Sequence, residues 1–126
     1  MNEPIYTAKQ VIQRLSQALN LSGIDEFTQD WEYEAADPER LDEFLAYYEN
    51  HNLSNLEKYY LMRLILESAN DLANVDPYWD RIEKLLVADY SIHRDTVQYW
   101  VSDDGVEEDN FYLTPAMRNL QRKIPK

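Results

Sequence analysis

Two histidines, His51 and His93, and no cysteine set the limit on the chemistry this sequence can host. Neither histidine stands in an H-x-x-x-H, H-x-x-E or nucleophile-elbow setting, the spacings that put ligands or a catalytic pair on one face. His51 falls in the Asn50-His51-Asn52 break, and His93 sits near a helix start with Asp89 four residues before it, so a surface or capping role is expected for both. Ser68 has no base partner nearby in the sequence. Adjacent carboxylates such as Asp42-Glu43 and Glu107-Glu108 point to different azimuths on a helix, whereas two catalytic acids must oppose each other across a cleft. The acidic run Ser102-Asp103-Asp104-Gly105-Val106-Glu107-Glu108-Asp109-Asn110 lacks the alternating oxygen ligands and terminal Glu of a calcium loop. The reading is therefore of a protein that is not an enzyme and uses neither metal nor cofactor.

Two stretches mix acids with large aromatic rings. One is Asp30-Trp31-Glu32-Tyr33-Glu34; the other runs from Tyr99-Trp100 through Asp103, Asp104, Glu107, Glu108 and Asp109 to Phe111-Tyr112. Aromatic rings anchor interfaces by filling pockets, and carboxylates around them pair with a partner's Arg or Lys. The candidate partner-binding residues are thus Asp30, Trp31, Glu32, Tyr33, Glu34, Tyr99, Asp103, Asp104, Glu107, Glu108, Asp109 and Tyr112. A core role competes for each tryptophan and a solvated face for the acids.

Global charge points the same way. There are 24 acids against 12 bases, and Arg118, Arg122, Lys123 and Lys126 all fall in the last nine residues, which hold no acid. Such a surface repels nucleic acid and anionic membranes and favours a basic protein partner. The N-terminus lacks the pattern of a signal peptide, and no apolar run is long enough to span a bilayer, so a cytoplasmic protein is expected.

Helices must position these residues. Leu56–Asn74 is apolar around most of its circumference, with only Arg63, Glu67, Asn70, Asp71 and Asn74 polar, so it reads as a central helix with neighbours on several sides. Ser54 and Glu57 form a capping box at its start, as do Thr7 and Gln10 at an N-terminal helix expected to end at Ser22-Gly23. Residues 24–36 read as a loop entering a short helix. Asp37-Pro38 and Asp76-Pro77 each open a helix, and each of these is followed by a turn and a second helix. Thr114-Pro115 opens a short basic C-terminal helix. The sequence predicts one all-α domain over residues 1–126: antiparallel helix pairs in a HEAT-like two-repeat bundle, with an N-terminal helix and a short C-terminal one.

Three segments, Asp30–Pro38 (DWEYEAADP), Glu57–Ser68 (EKYYLMRLILES) and Asp76–Trp100 (DPYWDRIEKLLVADYSIHRDTVQYW), resemble small acidic HEAT-like immunity proteins of bacterial toxin systems. The resemblance implies a cytosolic protein that binds and occludes a cognate basic toxin domain, often a nuclease. It carries over no contact residue, because the matching positions are mostly helix-packing ones. A DNA mimic of the anti-restriction type is the alternative, but aromatics and bases interrupt its acidic face; a generic helical adaptor is another.

Overall fold

The computed structural model describes residues 7–21, 31, 35–72, 75–101 and 114–124. Among them are six α-helices, α1 (Ala8–Leu19), α2 (Leu41–Asn50), α3 (Asn55–Asn70), α4 (Asp76–Ala88), α5 (Tyr90–Val101) and α6 (Thr114–Lys123), with a 3₁₀ turn at Pro38–Arg40. The described residues contain no strand, and the fold is all-α.

Both capping boxes form. The Gln10 N–H donates to Thr7 Oγ1 at 3.2 Å while the Thr7 N–H donates to Gln10 Oε1 at 2.9 Å. Ser54 and Glu57 exchange the same pair of bonds at 3.2 and 3.3 Å. Each satisfies two helix N–H groups that have no partner within the helix. The helix ends differ from expectation. α1 stops at Leu19, because Asn20 adopts the left-handed conformation (φ 52°, ψ 53°) and its N–H bonds back to the Ser16 carbonyl. Asparagine tolerates that conformation better than most residues, so the helix closes before Ser22-Gly23. α3 likewise ends at Asn70, short of Asn74.

α3 is the centre. It packs against α1, α2, α5 and the 3₁₀ turn, and Leu61, Met62, Leu64, Ile65, Leu66 and Ala69 are all fully buried along it. α2 and α3 form one hairpin, α4 and α5 a second; α2 also touches α4, and α3 touches α5. The two Asp-Pro pairs do not play the same part. Asp37 caps the 3₁₀ turn by accepting from the Glu39 N–H at 3.0 Å, and the α-helix starts only at Leu41. Asp76 and Pro77 are the first two residues of α4, whose capping position is held by Val75 without a side-chain bond. The apolar residues Leu41, Phe44 and Leu45 therefore recur at Ile82, Leu85 and Leu86, two positions further on than the Asp-Pro spacing.

Polar ties fix the hairpins. The Arg81 guanidinium lies between α2's Asp42 (2.5 Å) and Glu49 (2.6 Å), joining α4 to α2. Arg40 forks onto Glu43 and also donates to the Leu19 carbonyl, which satisfies an orphan acceptor at the end of α1. The Ser68 hydroxyl, fully buried, accepts from the Asp37 N–H at 3.0 Å and thereby holds the 3₁₀ turn on α3. Arg118 of α6 donates to the Val101 carbonyl at the end of α5.

Candidate functional site

Chemistry-bearing side chains gather in two places. The first is closed around its two rings. Tyr48 of α2, Lys58 of α3, Asp89 in the one-residue link before α5, and His93 of α5 meet where the two hairpins join. The Tyr48 oxygen lies 2.8 Å from Asp89 Oδ2 and 2.8 Å from His93 Nε2, and Lys58 Nζ is 3.5 Å from the same Asp89 oxygen. Tyr48 has one hydroxyl proton, and the carboxylate is its stronger acceptor. His93 must then donate from Nε2 to the Tyr48 oxygen, which leaves Nδ1 as a bare lone pair. That atom is buried and has no partner among the described residues.

The electrostatics follow from this arrangement. Burial pushes the His93 imidazole down to about 4, with Lys58 adding to the fall and Asp89 opposing it. Burial raises the Tyr48 phenol far above its usual range, and its bond to the Asp89 carboxylate raises it further. Neither ring reaches solvent: His93 is fully buried and Tyr48 nearly so. The expectation of a surface or capping role for His93 is corrected. It is the fourth residue of α5, on the face turned inward, because the helix starts at Tyr90 directly after Asp89.

The second place is open. A groove of about 370 Å³ runs between α3 and α5, lined by Tyr59, Arg63 and Glu67 on one side and Asp95, Thr96, Tyr99 and Trp100 on the other. The spacing explains the lining: Tyr59, Arg63 and Glu67 follow one another at i,i+4, as do Asp95 and Tyr99. Tyr99 is 60% exposed, and its ring meets Trp100 edge-on at 5.7 Å while Trp100 itself is only 2% exposed. Across the groove the Arg63 guanidinium lies over the rings of Tyr59 and Tyr60, 5.7 and 5.6 Å from their centroids. The hydroxyl of Thr96, in the lining, is buried and has no hydrogen-bond partner among the described residues.

Among the candidates read from sequence, only Trp31 and Tyr99 lie within the described residues. Tyr99 is at the groove. Trp31 is 2% exposed and packs 6.3 Å from Tyr60, ring to ring. It is a core residue here, as its large apolar ring favours. Asp30, Glu32, Tyr33, Glu34, Asp103, Asp104, Glu107, Glu108, Asp109 and Tyr112 lie outside the described residues. Missed in the sequence were Tyr59, Asp95 and Thr96. The i,i+4 ladder on α3 and its partner on α5 were the signal that could have found them. Among the described residues no group of three or more His, Asp or Glu side chains is arranged to hold a metal ion, and no helix is long and apolar enough to cross a membrane.

The fold and its open site define a helical domain with an aromatic, carboxylate-bearing groove between the second helices of two hairpins. No family model matches the sequence, and neither a curated protein nor a solved structure matches it.

Proposed function

We propose that the chain is a toxin-neutralising immunity protein, a HEAT-like binding domain that occludes a basic toxin domain from the face bearing the α3–α5 groove. The observation that carries this reading is Tyr99, an exposed aromatic ring in a groove that also presents Glu67 and Asp95. An exposed ring among carboxylates suits a partner surface rich in Lys and Arg, with the ring filling a pocket and the acids pairing at its edge. The net charge of −12 adds long-range attraction for such a partner. His93, by contrast, is locked in packing, and the groove offers surface for occlusion rather than a set of groups for turnover.

Co-expression with the C-terminal domain of a toxin encoded beside the gene tests the proposal. Wild type is expected to restore growth, and the association rate of the purified pair to fall steeply with added salt. Tyr99→Ala is expected to speed dissociation, at a cost of about 2 kcal/mol or more if the ring is an anchor. Growth that stays arrested, or an association rate indifferent to salt, overturns it.

A further inference from the structure

A second groove lies on the opposite side of α5, and its charge is inverted. It has a volume of about 740 Å³ and is lined by Tyr90, Ser91, Arg94 and Gln98 of α5 with Gln121, Arg122 and Ile124 at the end of α6. We infer that this groove binds the phosphate of a small phosphomonoester. The proposal is independent of the protein-binding reading and concerns different residues.

The argument begins with how this molecule uses its arginines. Arg40 forks onto Glu43, and Arg81 onto Glu49, each with two N–H groups on one carboxylate. Arg94 and Arg122 are different. Among the described residues neither meets a carboxylate; Arg122 touches only the Asn119 amide oxygen, at 3.4 Å. Both are exposed, and both line the same groove. This is unexpected in a chain with 24 acids and 12 bases, where carboxylates are abundant.

Among the described residues, three acids on α4, on α5 and in the link between them are directed elsewhere. Glu83 of α4 holds Lys123 at 3.0 Å, Asp89 holds Lys58 and Tyr48, and Asp95 lines the groove on the α3 side. Two guanidinium groups bring two positive charges, which a phosphate dianion with three acceptor oxygens balances better than a singly charged carboxylate does. Ser91, Gln98 and Gln121 add neutral donors around them, and the half-buried Tyr90 and Ile124 offer an apolar wall for the body of the ester. The volume is that of a small-molecule site. The chain's net negative charge opposes an anion, but at physiological salt the field of acids farther than about 8 Å from the groove is largely screened.

The test uses the full chain and phenyl phosphate, followed by calorimetry and by the arginine Nε–H resonances. Saturable binding is expected, with the largest shifts at Arg94 and Arg122. Arg94→Gln or Arg122→Gln is expected to weaken it about tenfold or more, as loss of a charge-assisted bond does. Lys84→Gln removes the same charge from an exposed position on α4 outside the groove and is expected to change little. Binding is expected to fade between pH 7.5 and 5, because the second phosphate ionisation lies near pH 6. Absence of saturable binding overturns the proposal, as does benzoate binding equally well, Lys84→Gln weakening it as much, or shifts centred away from α5 and α6. Because the shift map needs only the wild-type protein, a variant that fails to fold does not obscure the outcome.

Discussion

Two polar clusters between the hairpins differ in what solvent reaches: in one the two rings are buried and only Lys58 and Asp89 are partly exposed, while the other is an open groove. At the Tyr48–Asp89–His93 junction every member belongs to packing: one hydroxyl is shared between a carboxylate and an imidazole, and the histidine is fully buried. At the α3–α5 groove a tyrosine stands 60% exposed beside two carboxylates and an arginine. Tyr48 and His93 are thus placed away from solvent, and Tyr99 and Asp95 are placed in contact with it. Residue chemistry alone does not mark a site; burial decides which chemistry is available.

The largest effect comes from breaking the wall that both clusters share. Leu64→Ala or Ile65→Ala on α3 is expected to cost about 2–5 kcal/mol, as for large-to-small changes at fully buried positions. A denaturant melt measures it, and a loss near zero would remove α3 from the centre of the fold.

Next in size is the pH response of the closed cluster. The folded His93 imidazole is held down at about 4, below its ordinary value near 6.5, so the unfolded chain takes up the proton more readily. The contribution of neutral His93 is whole above pH 6.5 and is lost progressively as pH falls toward 4, reaching roughly 3 kcal/mol. Stability of wild type and His93→Gln measured between pH 7 and 5 isolates it, since most carboxylates titrate lower. The wild type is expected to lose stability faster across that window. Equal slopes would mean that His93 is not sealed.

Tyr48→Phe sharpens the same point at smaller cost. It strips Asp89 of a donor and His93 Nε2 of an acceptor while leaving the ring, so about 1–3 kcal/mol is expected, chiefly from the stranded buried imidazole N–H, since Asp89 keeps Lys58 and some solvent. A change below that range, by melt, would mean that water takes the hydroxyl's place.

Much of the fold was legible because helices announce themselves locally. The Thr7 and Ser54 capping boxes and the apolar circumference of α3 depend on residues within one or two turns. The Asp-Pro spacing misled for the same reason: Asp37 and Asp76 look alike over two residues, but one caps a 3₁₀ turn and the other lies inside a helix. The closed cluster was not legible. Tyr48 and His93 are 45 positions apart, and only the docking of α5 beside α2 and α3 turns His93 inward. Tyr99 was found through its neighbourhood of aromatics and acids, whereas Tyr59 and Asp95 required knowing that α3 lies beside α5.

The smallest effect is expected at Tyr99, and it bears most directly on the contrast between the two clusters. Tyr99 and Trp100 are adjacent, but Trp100 is 2% exposed and belongs to the core, while Tyr99 offers its ring to solvent. Truncating Tyr99 to Ala removes an edge-on contact with Trp100 and little buried area, so a stability change of about 0.5 kcal/mol or less is expected, as at ordinary surface sites. Asp95→Asn, exposed on the same groove, is expected to be similarly silent in a melt. A residue that costs nothing to remove from the free protein, yet weakens the complex when removed, is held for binding. If Tyr99→Ala instead melts like a core variant, the ring is structural, the groove is a packing seam, and the open cluster joins the closed one.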